Sequence, residues 1–204
     1  MIQRRGFLQR IGLGGGLLAA GAFPYGLARL LAPDLPVNPR THLRLPGALK
    51  DPAAFAAACI GCGLCGEVCP PHCVRFYGRE GGDRANTPYI DPENKACTLC
   101  GKCMEFCPTE ALTVTPRHQI DMGIAQIDRA ACYPWVDKGI CGACVSICPL
   151  GERAIDFAMW NQYRPVVRQG CVGCGLCVEV CPHPSLPIRV VERTEGSVTR
   201  HRVS

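Results

Sequence analysis

Short runs in which apolar and polar residues alternate recur along the chain between residues 73 and 192. Runs with this period of two indicate β-strands when they contain β-branched residues and are bounded by glycine, proline or charge. The pattern predicts seven short strands, at residues 73–77, 88–91, 111–115, 125–128, 154–158, 165–168 and 188–192. Because the strands are short and widely spaced, we expect short helices and turns between them and little regular core.

Composition limits what can hold these strands together. Aromatic residues are 6% of the chain, whereas glycine (23) and proline (18) are frequent, so a large aliphatic core is not expected. The chain has 17 cysteines among 204 residues, a content typical of secreted disulfide scaffolds. Cysteine spacing must therefore decide between disulfides and metal.

Sixteen of the cysteines form four groups, each of which ends in Cys-Pro. Motifs one, two and four, "CIGCGLCGEVCP", "CTLCGKCMEFCP" and "CVGCGLCVEVCP", follow C-x2-C-x2-C-x3-C-P, the spacing that binds 4Fe-4S clusters in bacterial ferredoxins. In motif three, "CYPWVDKGICGACVSICP", the first cysteine, Cys132, precedes Cys141 by nine positions. We interpret Cys132 as a ligand on an inserted loop; the alternative is that it binds nothing.

The spacing itself favours iron and sulfur over the alternatives. Three thiolates separated by two residues each can bind three corners of one cube, and the fourth, turned away before proline as a short helix starts, binds another cube. A glycine after the second cysteine of every motif would let the backbone approach the cluster. Zinc sites use paired C-x2-C elements, and cysteines three apart on one tight loop cannot readily form a disulfide.

Motifs that follow one another along the chain are expected to pair, which gives four sets of ligands that we call quartets I to IV. Quartet I is Cys59, Cys62, Cys65 and Cys107; quartet II is Cys97, Cys100, Cys103 and Cys69; quartet III is Cys132, Cys141, Cys144 and Cys181; quartet IV is Cys171, Cys174, Cys177 and Cys148. A nested arrangement, motif one with four and two with three, stays open. Cys73 is left over, and we expect a buried small residue behind the first cluster, with a ligand role as the weaker alternative.

The start of the chain has the layout of an export signal. Arg4 and Arg5 precede Phe7 and a glycine-rich apolar stretch, and the arginine pair resembles the twin-arginine signal that directs folded proteins across the membrane. We expect cleavage after Ala22, with an uncleaved membrane anchor as the alternative.

These elements predict an α+β protein made of tandem two-cluster ferredoxin-like units. The expected organisation is a signal peptide or anchor at 1–32, an extended proline-rich linker at 33–50, a first unit at 51–118, a second unit at 119–194 and a flexible tail at 195–204.

The formal charge of +5 does not indicate nucleic-acid binding, because the basic residues form no stripe and no aromatic residues alternate with them. Each oxidised 4Fe-4S core with its four thiolates carries about −2, so the loaded chain would be acidic. A redox partner with a basic docking face is therefore plausible.

The whole chain resembles the NapG/MauM family of ferredoxin-type proteins. The resemblance rests on the arginine pair, on "RLPGALKDPAAFAAACIGCGLC" and "TPYIDPENKACTLCGKC" before motifs one and two, and on the stretched third motif. It implies an exported carrier with four 4Fe-4S clusters that works with a polytopic, quinol-oxidising membrane protein of the ferredoxin type. The acceptor would be a periplasmic cytochrome or reductase in a nitrate-reductase or methylamine-utilisation chain.

No residues indicate bond chemistry, so we expect an electron carrier and at most the iron-sulfur subunit of a quinol dehydrogenase complex. Its expected place is the periplasm, attached peripherally to the inner membrane through a partner or by the uncleaved anchor. Two alternatives are an iron-sulfur subunit of a molybdenum oxidoreductase and a maturation factor for a periplasmic redox enzyme.

Overall fold

Three pairs of antiparallel strands provide the regular sheet in the computed structural model, which describes residues 42–158 and 163–193. The pairs are β1 (Val74–Phe76) with β2 (Pro88–Ile90), β3 (Ile124–Ile127) with β6 (Ile188–Val191), and β4 (Ile155–Ala158) with β5 (Arg164–Val167). Six of the seven predicted strands are thereby confirmed to within a few residues. No described helix is both long enough and apolar enough to span a bilayer.

The predicted signal peptide, its arginine pair and its cleavage site lie outside the described residues, as does the predicted tail at 195–204. The same holds for the first part of the predicted linker, up to residue 41.

The predicted strand at 111–115 is wrong. These residues meet the segment before motif one through a single bridge, Ala48 to Leu112, with hydrogen bonds from Thr113 N to Gly47 O (2.9 Å) and from Leu49 N to Ala111 O (3.2 Å). Gly47 has a φ of 70°, a left-handed conformation that turns the chain and ends the pairing after one bridge.

The same contacts correct the predicted linker, because residues 42–50 belong to the folded body. Leu43 exchanges two backbone hydrogen bonds with Ile90, at 2.8 and 3.0 Å. Leu45 is only 1% exposed. The prediction of a linker was based on the prolines of this segment and did not take into account that Leu43 and Leu45 could be buried in the core.

The helices are short, and four of them lie inside the cysteine motifs. Helix α1 (Pro52–Ala58) leads into motif one; Asp51 caps it by accepting from Ala53 N and Ala54 N, and its first residue is proline. The motif helices are α2 (Leu64–Glu67), α3 (Lys102–Glu105), α4 (Ala143–Ser146) and α5 (Leu176–Glu179). Three 3₁₀ turns, Arg79–Arg84, Arg117–Gln119 and Gly151–Arg153, complete the described elements.

Each motif helix begins after the motif glycine, carries the third cysteine and ends before the fourth. The expectation that a helix starts at the fourth cysteine was therefore wrong. In motifs one, two and four the glycines Gly63, Gly101 and Gly175 take φ values of 81°, 84° and 86°, which only glycine adopts readily, and this turn starts the helix. In motif three, Gly142 has a φ of −131°, so the turn before its helix differs from the left-handed turn of the other three motifs.

Two groups of buried apolar side chains support these elements. The larger joins both predicted units, since Ile90 and Leu99 from the first contribute to it together with Val172 and Val178 from the second. The smaller lies between strands β3 to β6 and contains Ile155. Both predicted units therefore belong to one compact body.

Candidate metal centres

Quartet I lines one cavity. Cys59 and Cys62 lie on the loop after α1, Cys65 lies on α2, and Cys107 comes from the end of motif two. Helices α2 and α3 contact each other, which brings Cys107 to the loop of motif one. Apolar side chains that include Phe55 and Phe76 complete the wall.

Quartet IV lines a second cavity in the same way. Cys171, Cys174 and Cys177 come from motif four, and Cys148 comes from the end of motif three. In a nested arrangement Cys181 would stand in the first cavity and Cys69 in the second. Neither lines these cavities, so the geometry favours pairing of consecutive motifs.

Quartets II and III are recognised from the mutual influence of their thiols. Burial raises the pKa of Cys103 to about 12, and Cys97, Cys100, Cys65 of quartet I and Cys69 add to the effect, in that order. Cys69, Cys97 and Cys103 also belong to one group of buried side chains. The quartet II residues therefore stand close together.

In quartet III, the partial burial of Cys144 raises its pKa to about 12, and Cys132, Cys141 and Cys181 raise it further. The long loop of motif three thus brings Cys132 to the other three cysteines. Trp135, three residues further on, donates its indole N–H to Pro165 O at 3.0 Å and fastens this loop to β5.

The thiols fit the ligand set of 4Fe-4S clusters, which take four cysteine thiolates each. All seventeen cysteines lie in the described residues, and every one is free of a disulfide. Within residues 42–158 and 163–193, no three His, Cys, Asp or Glu side chains lie close enough together to bind a single metal ion. This is compatible with a cluster of several irons, in which each thiolate binds its own iron.

Backbone N–H groups point at several cysteine sulfurs. Leu99 N donates to Cys97 Sγ at 3.3 Å, and Ala125 N donates to Cys171 Sγ at 3.4 Å. Hydrogen bonds of this kind stabilise the more negative, reduced state of a cluster and so raise its reduction potential. The strand β3 would thus help to tune a cluster bound by quartet IV.

Burial divides the quartets into two classes. Cys69, Cys97 and Cys103 of quartet II are buried, as is Cys174 of quartet IV, whereas Cys62 of quartet I is exposed. Quartet III contains no buried cysteine. Quartets II and IV are therefore the internal pair, and quartets I and III are nearer to solvent.

The structure buries Cys73, as predicted, but places it beside quartet II rather than behind quartet I. Its sulfur lies 3.5 Å from Cys69 Sγ, within hydrogen-bond distance. The neighbouring Cys97 side chain and burial raise the pKa of Cys73 above the ordinary thiol value. Cys69 and Cys97 would bind iron as thiolates without a proton, so Cys73 would be the donor. The turn after Cys69, closed by a 3.0 Å hydrogen bond from His72 N to Cys69 O, returns the chain to this position. No sequence motif indicates this contact.

Fold and sites together define a ferredoxin-type iron-sulfur protein, in which clusters held by repeated cysteine motifs carry electrons. The family model for the 4Fe-4S dicluster domain matches residues 58–111 and 96–152, and the model for the 4Fe-4S binding domain matches residues 165–185. The second dicluster match spans motifs two and three, but the structure groups motif two with motif one.

Relatives with known names extend the match over most of the chain. The methylamine utilization ferredoxin-type protein MauM of Methylophilus methylotrophus is 34% identical over a gapped alignment of 173 positions that covers 79% of this chain and 75% of that protein. The ferredoxin-type protein NapG of Escherichia coli (strain K12) is 30% identical over a gapped alignment of 219 positions that covers 97% of this chain and 90% of that protein. The MauM protein of Paracoccus denitrificans is 31% identical over 89% of this chain and 84% of its own length. The chain belongs to the NapG/MauM family of ferredoxin-type proteins.

Replacement of Cys132 by serine tests the ligand role of the displaced cysteine. We expect the anaerobically purified Cys132→Ser protein to contain about four fewer irons than the parent, because one cluster loses a thiolate. Cys73→Ser is the matched control and should keep the full iron content. Equal iron in the Cys132→Ser protein and the parent would show that Cys132 is not a ligand.

Replacement of Cys73 by alanine tests its hydrogen bonds to quartet II. A lost hydrogen bond of about 1 kcal/mol corresponds to a potential that is lower by on the order of 40 mV for one electron. We therefore expect one cluster of the Cys73→Ala protein to shift negatively in an EPR-monitored redox titration, at unchanged iron content. Cys73→Ser, which keeps a donor, should restore most of the shift, and unchanged potentials in Cys73→Ala would contradict the role.

Proposed function

We propose that this chain is an exported electron carrier that holds four 4Fe-4S clusters, one in each quartet. The observation that supports the proposal most strongly is that the four thiols of quartet I line one cavity and the four thiols of quartet IV line another, each set drawn from two motifs. When bound, each cluster takes up and releases one electron. The sixteen cysteines of quartets I to IV are the ligands, and the chain itself catalyses no bond chemistry.

The fold that we propose is α+β, with two ferredoxin-like units at 42–118 and 119–194. The first unit includes residues 42–50, because Leu43 and Leu45 are buried in it. The protein contributes to electron transfer by positioning the clusters and setting their surroundings. Cysteine loops hold the clusters, backbone N–H groups tune their reduction potentials, and apolar side chains around them limit access of water.

We infer that electrons come from a polytopic, quinol-oxidising membrane protein of the ferredoxin type and pass to a periplasmic cytochrome or reductase. The relatives named as methylamine utilization ferredoxin-type protein MauM and as ferredoxin-type protein NapG support a role as an electron carrier. The chain would act as the iron-sulfur subunit of a quinol dehydrogenase complex.

The proposed place of action is the periplasm, at the inner membrane. Arg4 and Arg5 supply the twin-arginine signal, and export in the folded state explains how a chain with 17 cysteines escapes disulfide mispairing. Cluster assembly needs reduced thiols, which the cytoplasm provides. Loading before export therefore connects the arginine pair with the cysteine motifs.

Metal analysis of the anaerobically purified full chain tests the number of clusters. We expect about sixteen irons and as much sulfide per chain, together with EPR signals of interacting 4Fe-4S clusters after reduction. A zinc-loaded protein without an EPR signal would refute the proposal, and about twelve irons would show that one quartet is incomplete.

Replacement of both Arg4 and Arg5 by lysine tests the route of export. We expect the double variant to stay in the cytoplasm with its iron content unchanged, because the receptor reads the arginine pair while cluster assembly does not need it. Cell fractionation with a blot measures the distribution, and Arg10→Lys, in the same segment but outside the pair, should be exported normally. Full export of the double variant would disprove the route.

A further inference from the structure

Ligand loops of quartets II and IV touch each other directly. The backbone N–H of Cys97, in quartet II, donates a hydrogen bond of 3.1 Å to the carbonyl oxygen of Cys174, in quartet IV. Cys97 is 6% exposed and Cys174 is 9% exposed, so this contact is buried. It joins the first predicted ferredoxin unit to the second through two ligand residues.

The carboxylate of Glu179 clamps the chain beside this contact. Glu179, on helix α5, accepts a hydrogen bond of 2.7 Å from Ala96 N and one of 2.8 Å from Lys95 Nζ. Ala96 is 1% exposed and directly precedes Cys97, and the same helix carries Cys177. The clamp therefore ties a ligand-bearing helix of quartet IV to a ligand loop of quartet II.

The close approach also restricts Gly175, the motif glycine of motif four. A Cβ atom at Gly175 would lie 2.5 Å from Cβ of Pro92 and 3.5 Å from Cβ of Ala96. The equivalent glycine of motif one, Gly63, has no atom within 4 Å of such a position. Motif four is thus packed against the loop before motif two, whereas motif one is open at the same point.

The other three motifs show what is specific to Glu179. Motifs one and two carry Glu67 and Glu105 at the same position, two residues before the fourth cysteine, and motif three has Ser146 there. Both glutamates are exposed, and neither makes a side-chain hydrogen bond or ion pair to another described residue. Within the described part of the chain, Glu179 is the only one of these three glutamates that contacts the other predicted unit.

Contacts between the motif helices connect the other quartets. Helix α2, which carries Cys65 of quartet I, contacts α3, which carries Cys103 of quartet II. Helix α4, which carries Cys144 of quartet III, contacts α5, which carries Cys177 of quartet IV. Together with the contact between Cys97 and Cys174, these helix contacts connect the quartets in the order I, II, IV, III, which differs from the order of the motifs along the chain.

We propose that the two halves of the relay are joined at the Cys97–Cys174 contact, so that the quartets are connected in the order I, II, IV, III, and that Glu179 is the positioning residue that holds this contact closed. The inference rests on the proposed function, since it requires clusters in all four quartets. Quartets I and III become the two ends of the relay, in agreement with the exposure of Cys62 and with the absence of a buried cysteine in quartet III.

Variants of the full-length protein, purified without oxygen, test the clamp. We expect Glu179→Ala to keep the parent iron content but to lose part of the spin–spin interaction between clusters in the EPR spectrum of the fully reduced protein. Glu67→Ala and Glu105→Ala are the matched controls and should give the parent spectrum. A parent spectrum for Glu179→Ala, or an equal loss in either control, would overturn the positioning role.

Two further variants keep the test decisive if Glu179→Ala loses iron. Glu179→Gln retains an oxygen that can accept from Ala96 N, and Lys95→Ala removes the ion pair but leaves that acceptor; both should keep their iron. We expect each to lose less of the interaction than Glu179→Ala, or to show a measurable loss where Glu179→Ala cannot be loaded. Full iron with the parent spectrum in both variants would overturn the role in that case.

The order of the quartets has its own test in the Cys132→Ser protein, which should lack the cluster of quartet III. Only one remaining cluster, that of quartet IV, should then lose a spin–spin partner. A change in two or three remaining signals would contradict the order. A wild-type protein short of iron would instead refute the proposed function, so the two failures are distinguishable.

Discussion

Each motif shares its cysteines with a neighbour, and this sharing is the constraint on which the rest of the structure depends. In both cavities that the cysteines line, three thiols come from one motif and the fourth comes from another. A bound cluster would therefore cross-link two parts of the chain, in addition to the buried apolar side chains that join them. This explains how two-stranded sheets and four-residue helices, which are marginal by themselves, suffice in this protein.

Much of the local structure could be predicted because the signals are local. Of the seven strands predicted from the alternation of apolar and polar residues, six are present in the structure. The motif spacing predicted that consecutive motifs pair, and the cavities lined by the cysteines of quartets I and IV favour that pairing. The strand predicted at 111–115 failed since strand formation needs a partner of matching length, and its partner ends at the turn of Gly47. Residues 42–50 were predicted to be part of an extended linker because the segment is rich in proline. Leu43 and Leu45 are nevertheless buried in the core.

Contacts between distant motifs could not be predicted. Motifs one and four differ at only two internal positions, Ile60 against Val172 and Gly66 against Val178. Ile60 is 68% exposed, whereas Val172 and Val178 are each 2% exposed, so nearly identical motifs stand in opposite surroundings. Which copy faces the interior depends on partners that are distant in sequence, such as Ala96, which lies 83 residues before Glu179. The same reason hid the placement of Cys73 beside Cys97 and the clamp at Glu179.

The exposure of Cys62 has a consequence for where oxidative damage to the protein would begin. Dissolved oxygen and peroxide reach a cluster through its most accessible ligands, and a released thiolate is open to oxidation. Cys62 is the exposed member of quartet I, while the buried thiols of quartets II and IV are shielded by protein. Oxidative damage would therefore begin at one terminus and spare the centre. In an unbranched chain of clusters, loss of the cluster at one end would stop electron transfer through the protein even when the other clusters are intact.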